Sequence, residues 1–146
     1  MKSNGYLKKP LAINIEKDTI ENNYYRHVIH TTYQNQVVLM SIKPGENIPC
    51  EVHSNISQFL RVEEGEGSIE IENTKYKLND GIAVNIPPGL YHEITNTSKD
   101  KALKLYTIYS LGEGIAEHED QLIQISQPLL KNRNANKNKI IYLLLL

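Results

Sequence analysis

Short stretches of strand-forming residues alternate with turn signals along most of this chain, and this pattern restricts the fold more than any other feature. Turn sequences recur along the chain, at 43–45, 64–67, 73–74, 79–81 and 87–89. Long helical periodicity is absent before residue 110. About eight short strands with this spacing are typical of an all-β sandwich or barrel. A closed barrel is favoured because closure removes exposed sheet edges.

The residue pattern also predicts where the individual strands and reversals lie. Strands are expected at 37–42, 58–62, 68–72, 75–78, 81–86, 92–96 and 103–109. Asn73-Thr74 predicts a tight reversal, and Gly81 is expected to adopt a positive φ in the turn that begins at Asn79.

Length, charge and hydropathy indicate one small domain. The chain has 146 residues and a formal net charge of −1, which implies no nucleic-acid partner. Its longest apolar run, Ile140 to Leu146, is far shorter than the ~20 residues that span a bilayer. The first ten residues lack the apolar region of a secretory signal. Together with a single cysteine, these features predict a cytoplasmic protein without a membrane segment, with 1–146 forming one domain.

The carboxyl-terminal region differs from the rest. We expect a barrel core at about 35–110 and a partly disordered extension at 111–146, with a short helix around Glu117 to Ile125. Residues 131–139 are rich in Asn and Lys and are expected to be disordered. The apolar run 140–146 either adds a strand to the sheet or a partner subunit, or has no selected role; packing at an interface is favoured.

Four polar residues are candidates for a site inside the barrel, where unpaired polar groups are costly. Glu51 and His53 are two apart, so on a strand they share a face. Gln58 follows in the next strand, on the face of its apolar neighbours, and His92 comes after the rigid turn 87–89. Two imidazoles, a carboxylate and an amide oxygen make a plausible mononuclear divalent-metal site.

The same residues carry a resemblance to the cupin superfamily. The stretch from Gly45 to Gly65 resembles the first cupin motif, with Glu51 in place of the usual first histidine and Gln58 in place of the usual glutamate. The second motif is complete at all five positions: Gly81, Pro87, Gly89, His92 and Asn96. The resemblance covers roughly 42–109. It implies a jelly-roll barrel, also called a double-stranded β-helix, and a homodimer.

Carried over from the family, the metal ligands fall on four positions: Glu51, His53, Gln58 and His92. Such a set could hold Zn²⁺, Fe²⁺, Mn²⁺ or Ni²⁺. Alternatives remain open for single residues. His53 could be a core histidine bonded to a backbone carbonyl, Glu51 a general base or a partner that orients His53, and Gln58 a hydrogen-bonding group for water or substrate.

The sequence also predicts the positions of several residues that are not candidate metal ligands. Tyr106 and Tyr109 face opposite ways, so at most one lines a pocket, and Tyr91 is a pocket wall or a rim aromatic. Cys50 should face away from Glu51 and be buried. The remaining expectations are an outward Arg61, a solvated charged turn with Glu63, Glu64 and Glu66, and incidental roles for His27, His30 and His118.

The sequence favours a metal-binding protein that acts on a small-molecule substrate. The segments 51–67 and 86–92 are similar to the cupin domain of mannose-6-phosphate isomerase-type proteins, which implies a sugar-phosphate isomerase with Glu51 as the catalytic base. The motifs contain no basic residue that would clamp a phosphate. Two other functions remain open: a metal-dependent dioxygenase or related oxidoreductase, and a non-catalytic module that binds a small ligand.

Overall fold

The computed structural model describes residues 9–111, and all structural statements below concern this part of the chain. Its elements are one helix and nine strands: α1 Ile15–Glu21, β1 Arg26–Thr31, β2 Asn35–Ile42, β3 Asn47–Glu51, β4 Ile56–Glu64, β5 Glu66–Ile71, β6 Thr74–Asn79, β7 Ala83–Ile86, β8 His92–Asn96 and β9 Leu103–Leu111. The predicted helix at 117–125, the expected disorder at 131–139 and the terminal apolar strand lie outside the described residues.

The strands form two antiparallel sheets. One has five strands in the order β1-β2-β9-β4-β7, and the other has four in the order β3-β8-β5-β6. Consecutive strands often belong to different sheets, so the chain crosses repeatedly between them. The all-β jelly-roll fold that the sequence predicts is confirmed.

The hydrophobic core lies between the two sheets. In β4 and β9, buried residues alternate with partly exposed ones, as period-2 geometry requires when one face packs inward. The largest fully buried apolar side chains come from both sheets: Ile42, Leu60, Ile69, Leu78, Ile86, Ile94, Leu103 and Leu105. Among residues 9–111, no helix is long and apolar enough to cross a membrane.

Helix α1, which the sequence analysis did not predict, contacts strands β2, β4 and β9 of the five-stranded sheet. Asn14 caps its amino end by accepting a hydrogen bond from the Lys17 backbone N–H at 3.1 Å. At its carboxyl end, the buried Lys104 ammonium donates to the Asn22 carbonyl and to Asn23 Oδ1. Seven residues are too few for a clear helical period, and tertiary contacts hold this helix in place.

Two predicted turns differ in detail from the structure. Only Gly65, with φ of 93°, separates β4 from β5, while Gly67 already belongs to β5. The next reversal uses Glu72 and Asn73, one residue earlier than expected, because both adopt positive φ (46° and 67°). Two consecutive positive φ values are what a tight two-residue hairpin requires.

Two predictions of side-chain burial were wrong. Glu63 is buried and ion-paired with Arg61, because the pairing of β4 with β9 shifts register between Val62 and Glu64 and breaks the simple alternation. Cys50 is exposed, because β3 is the edge strand of its sheet and its outer face meets solvent. Arg61 itself is partly exposed, as expected.

Candidate metal centre

The four predicted site residues meet in the interior, between the two sheets. Glu51 is the last residue of β3 and is paired in register with His92, the first residue of β8. His53 follows two residues after β3. Gln58 comes from β4 of the opposite sheet, where its register partners are Ile86 and Tyr109. Each of the four predicted residues is at most 4% exposed.

Glu51 lies at the centre of this cluster. Its Oε1 is 3.3 Å from Nε2 of His92 and 3.4 Å from Nε2 of His53. One ligand atom from each of the three residues lies within 4.8 Å of the others. The two imidazole rings meet edge to face with centroids 5.3 Å apart. Three donor atoms therefore converge on one buried point.

Gln58 and Tyr109 complete the wall of the cluster. Gln58 Oε1 is 2.8 Å from His92 Nε2, and the amide Nε2 donates to the Tyr109 hydroxyl at 3.4 Å. The Tyr109 ring stands at 90° to that of His53, with centroids 5.7 Å apart. Burial, followed by the charge of Glu51, raises the pKa of Tyr109, so its hydroxyl stays protonated at neutral pH. Of the two tyrosines on β9, Tyr109 is the one that faces inward, whereas Tyr106 contacts Phe59.

The hydrogen bonds of the cluster show that a cation fits it. His92 Nδ1 lies 2.9 Å from the Leu90 carbonyl oxygen, which can only accept, so Nδ1 carries a proton. Nε2 faces the oxygens of Glu51 and Gln58, which only accept, so either a proton on Nε2 or a metal ion is needed between them. Within residues 9–111, Nδ1 of the buried His53 has no hydrogen-bond partner, and its Nε2 has only the 3.4 Å approach to Glu51. Unsatisfied buried groups are rare and costly, and a metal ion bound by imidazole and carboxylate would satisfy Nε2, the nitrogen that faces Glu51.

The charge state of Glu51 suits the same role. Burial alone would raise the pKa of this carboxyl, but its contacts with His53 and His92 outweigh burial and hold the pKa below the ordinary value. A carboxylate that stays ionised inside the barrel supplies the anionic ligand that a divalent cation needs.

A cavity of about 540 Å³ leads to this cluster. Its lining includes two residues of the cluster region, Glu51 and Tyr109, and the other lining residues are Tyr25, Arg26, Met40, Gly45, Glu46, Asn47, Ile48 and Pro49. A small molecule in the cavity would therefore touch the carboxylate of the candidate metal centre.

The comparison with known proteins identifies the family. A family model described as a cupin domain matches residues 38–109. The uncharacterized protein L612 of Acanthamoeba polyphaga mimivirus is 40% identical over 120 residues, which are 80% of this chain and 72% of L612. This chain is a cupin.

Two further proteins are similar to this cupin over most of its length. The uncharacterized protein YrkC of Bacillus subtilis is 40% identical over 111 residues, which are 72% of this chain but only 59% of YrkC. The crystal structure of BH2720 from Bacillus halodurans superposes with a TM-score of 0.69 at 38% identity, covering 73% of this chain and 84% of that one. The cupin thus spans less than two thirds of YrkC.

Some residues of interest lie away from the centre of this cupin. Tyr91 is 57% exposed and lines an outer groove, which makes it a rim aromatic. His30 approaches the Lys9 carbonyl with Nε2, and His27 stacks edge to face on Tyr24. His118 lies beyond the described part of the chain. Arg26 and Tyr25 also line the cavity, but the sequence did not indicate them because they stand outside both cupin motifs.

Proposed function

We propose that this cupin is a mononuclear metal enzyme that transforms a small molecule bound in the 540 Å³ cavity. The observation that carries the proposal is the convergence of Glu51, His53 and His92 at the buried side of that cavity. Since Glu51 also lines the cavity, a metal held by these residues would lie next to a bound molecule.

Dioxygen-dependent oxidation is the chemistry that this donor set supports best. Two histidines and one carboxylate are the ligand set of non-haem Fe²⁺ oxygenases, so Glu51, His53 and His92 would hold the ion, which would supply the activation of dioxygen. The chain's own residues supply the orientation. The Leu90 carbonyl fixes the tautomer of His92, Tyr109 holds the amide of Gln58, and the apolar core keeps bulk water away.

Isomerisation of a sugar phosphate is the second candidate. It requires a free base, and Glu51 suits this task poorly because its Oε1 faces both imidazoles and is better placed as a ligand. Glu46 is the other carboxylate that lines the cavity, and it is exposed. Arg26 lines the cavity, whereas Arg61 of the first cupin motif does not, and this basic residue is the observation in favour of the isomerase.

Metal analysis of variants tests the proposal. Protein purified without chelator or nickel resin should contain close to one equivalent of metal, and His53→Ala and His92→Ala should each lose most of it. His27→Ala is the matched control, because His27 is exposed and lies outside the cluster. Equal metal in the wild type and both cluster variants would refute the assignment.

The identity of the active metal then separates the candidate functions. Dioxygen consumption with Fe²⁺ that stops when Zn²⁺ replaces it would support the oxygenase. Equal turnover with either ion, without dioxygen consumption, would support the isomerase. Ligand binding without turnover with any metal would instead indicate a binding module.

A further inference from the structure

Arg26 has a defined position in the cavity wall. It is the first residue of β1, where it is paired in register with Met40 of β2, and both residues line the cavity together with Glu51. Its Nη2 donates to Oε1 of Gln36 at 3.0 Å, and the Gln36 side chain is fully buried. A buried amide therefore holds the guanidinium in place.

Within the described residues, Arg26 forms no ion pair, and the Glu51 carboxylate acts on its charge only from a longer distance. Among residues 9–111, no acidic side chain lies within ion-pairing distance of its guanidinium, and Gln36 is its one side-chain hydrogen-bond partner. A guanidinium has five N–H donors in a planar fork that matches a carboxylate or phosphate group. Partly buried charges are normally paired, so an anion from outside the chain is the expected partner.

The other residues that line the cavity indicate which chemical groups the anion has besides its charged group. Met40, Ile48 and Pro49 give the wall an apolar portion, while Glu51 marks the side of the candidate metal centre. We propose that the cavity binds a small organic anion, with its anionic group on Arg26, its carbon skeleton on Met40 and Ile48, and its reacting part toward Glu51. This rests on the proposed function, because the anion is taken as the substrate of the metal centre.

Direct binding measurements with three matched probes test the inference. Butyrate, butyl phosphate and the neutral isostere butyramide are titrated by calorimetry into metal-free and Zn²⁺-loaded protein. The wild type should bind at least one of the anions at least tenfold more tightly than butyramide. The preferred anion tells whether the natural ligand carries a carboxylate or a phosphate.

Variants then assign the preference to Arg26. Arg26→Gln should weaken anion binding at least tenfold, and Arg26→Lys should restore part of it because the positive charge returns. Arg61→Gln is the control, since Arg61 has the same charge, lies outside the cavity and should leave binding within twofold of wild type. Circular dichroism and bound zinc should be the same in Arg26→Gln and wild type, so that lost binding reports the guanidinium alone.

Several outcomes would overturn the inference. The first is that butyramide binds as tightly as the anions. The second is that Arg26→Gln binds the anions as tightly as wild type does. The third is that zinc-loaded wild type binds neither anion. If the wild type fails to hold zinc but its metal-free form binds butyrate through Arg26, the metal-enzyme proposal fails while the anion site stands. The two proposals can thus fail separately.

Discussion

At the scale of single residues, the centre shows how neighbours decide the role of a side chain. Glu51 stands where the cupin motif usually has a histidine, and Gln58 stands where it usually has the carboxylate. The one carboxylate of the cluster is thereby kept but moved to β3, where it lies between the two imidazoles. The amide of Gln58 remains directed at His92 by its hydrogen bond to Tyr109.

The lowered pKa of Glu51 predicts a pH-dependent contribution to stability. A carboxyl whose pKa is lower in the folded than in the unfolded state stabilises the fold above the ordinary carboxyl pKa, and this contribution is lost as pH falls through the lowered value. In metal-free protein, the difference in unfolding free energy between wild type and Glu51→Gln should therefore shrink as pH falls below the ordinary carboxyl pKa.

Urea denaturation at a series of pH values measures this difference. Glu70→Gln is the control, because Glu70 is exposed on β5, and its difference from wild type should stay flat over the same range. A constant difference for Glu51→Gln would mean that the imidazoles do not stabilise the ionised carboxylate.

At the scale of elements, β5 shows how closely the strands of this barrel approach each other. An added Cβ at Gly67 would lie 2.5 Å from the Thr95 carbonyl oxygen on β8 and 2.8 Å from the Leu103 side chain on β9. These two strands belong to different sheets, so Gly67 lies where the sheets come together. A side chain here would press them apart.

Gly67→Ala should therefore destabilise the protein by about 1–3 kcal/mol, as is typical when a methyl group is forced into a packed site. Thermal unfolding followed by circular dichroism measures the loss. The exposed neighbour Glu66→Ala serves as the control and should change stability by less than about 0.5 kcal/mol. Equal stability of the two variants would contradict the close approach of β5 to β8 and β9.

At the scale of the whole molecule, the residues of the candidate metal centre come from both sheets. Glu51, His53 and His92 belong to the β3–β8 side, and Gln58 and Tyr109 belong to the five-stranded sheet. A ligand that binds only the folded state stabilises it by mass action. Metal binding at the candidate centre should therefore raise the free energy of global unfolding.

We expect Zn²⁺ at a hundredfold excess over its Kd to raise the unfolding free energy of the metal-free protein by about 2.7 kcal/mol. Differential scanning calorimetry with and without zinc measures the effect, and His53→Ala should abolish it. Cys50→Ser should retain it, since the exposed thiol lies outside the cluster. An equal stabilisation of His53→Ala would place the bound zinc elsewhere.

Other expectations at this scale stay predictions. The homodimer, the cytoplasmic location and the single-domain organisation of 1–146 follow from sequence and resemblance alone. The apolar run 140–146, proposed as part of a subunit contact, lies outside the described residues.

The sequence by itself determined the all-β fold and the donor atoms of the candidate centre. Strand alternation, turn residues and motif spacing are local properties, so one sequence is enough to recognise them. They predicted that Glu51, His53, Gln58 and His92 lie together, and the structure places these four residues in one cluster. The tertiary structure alone decided the surroundings of that centre. Arg26 enters the cavity through the pairing of β1 with β2, and Glu63 is buried by an irregularity between β4 and β9. Such features depend on the register between strands far apart in sequence, which no local pattern encodes.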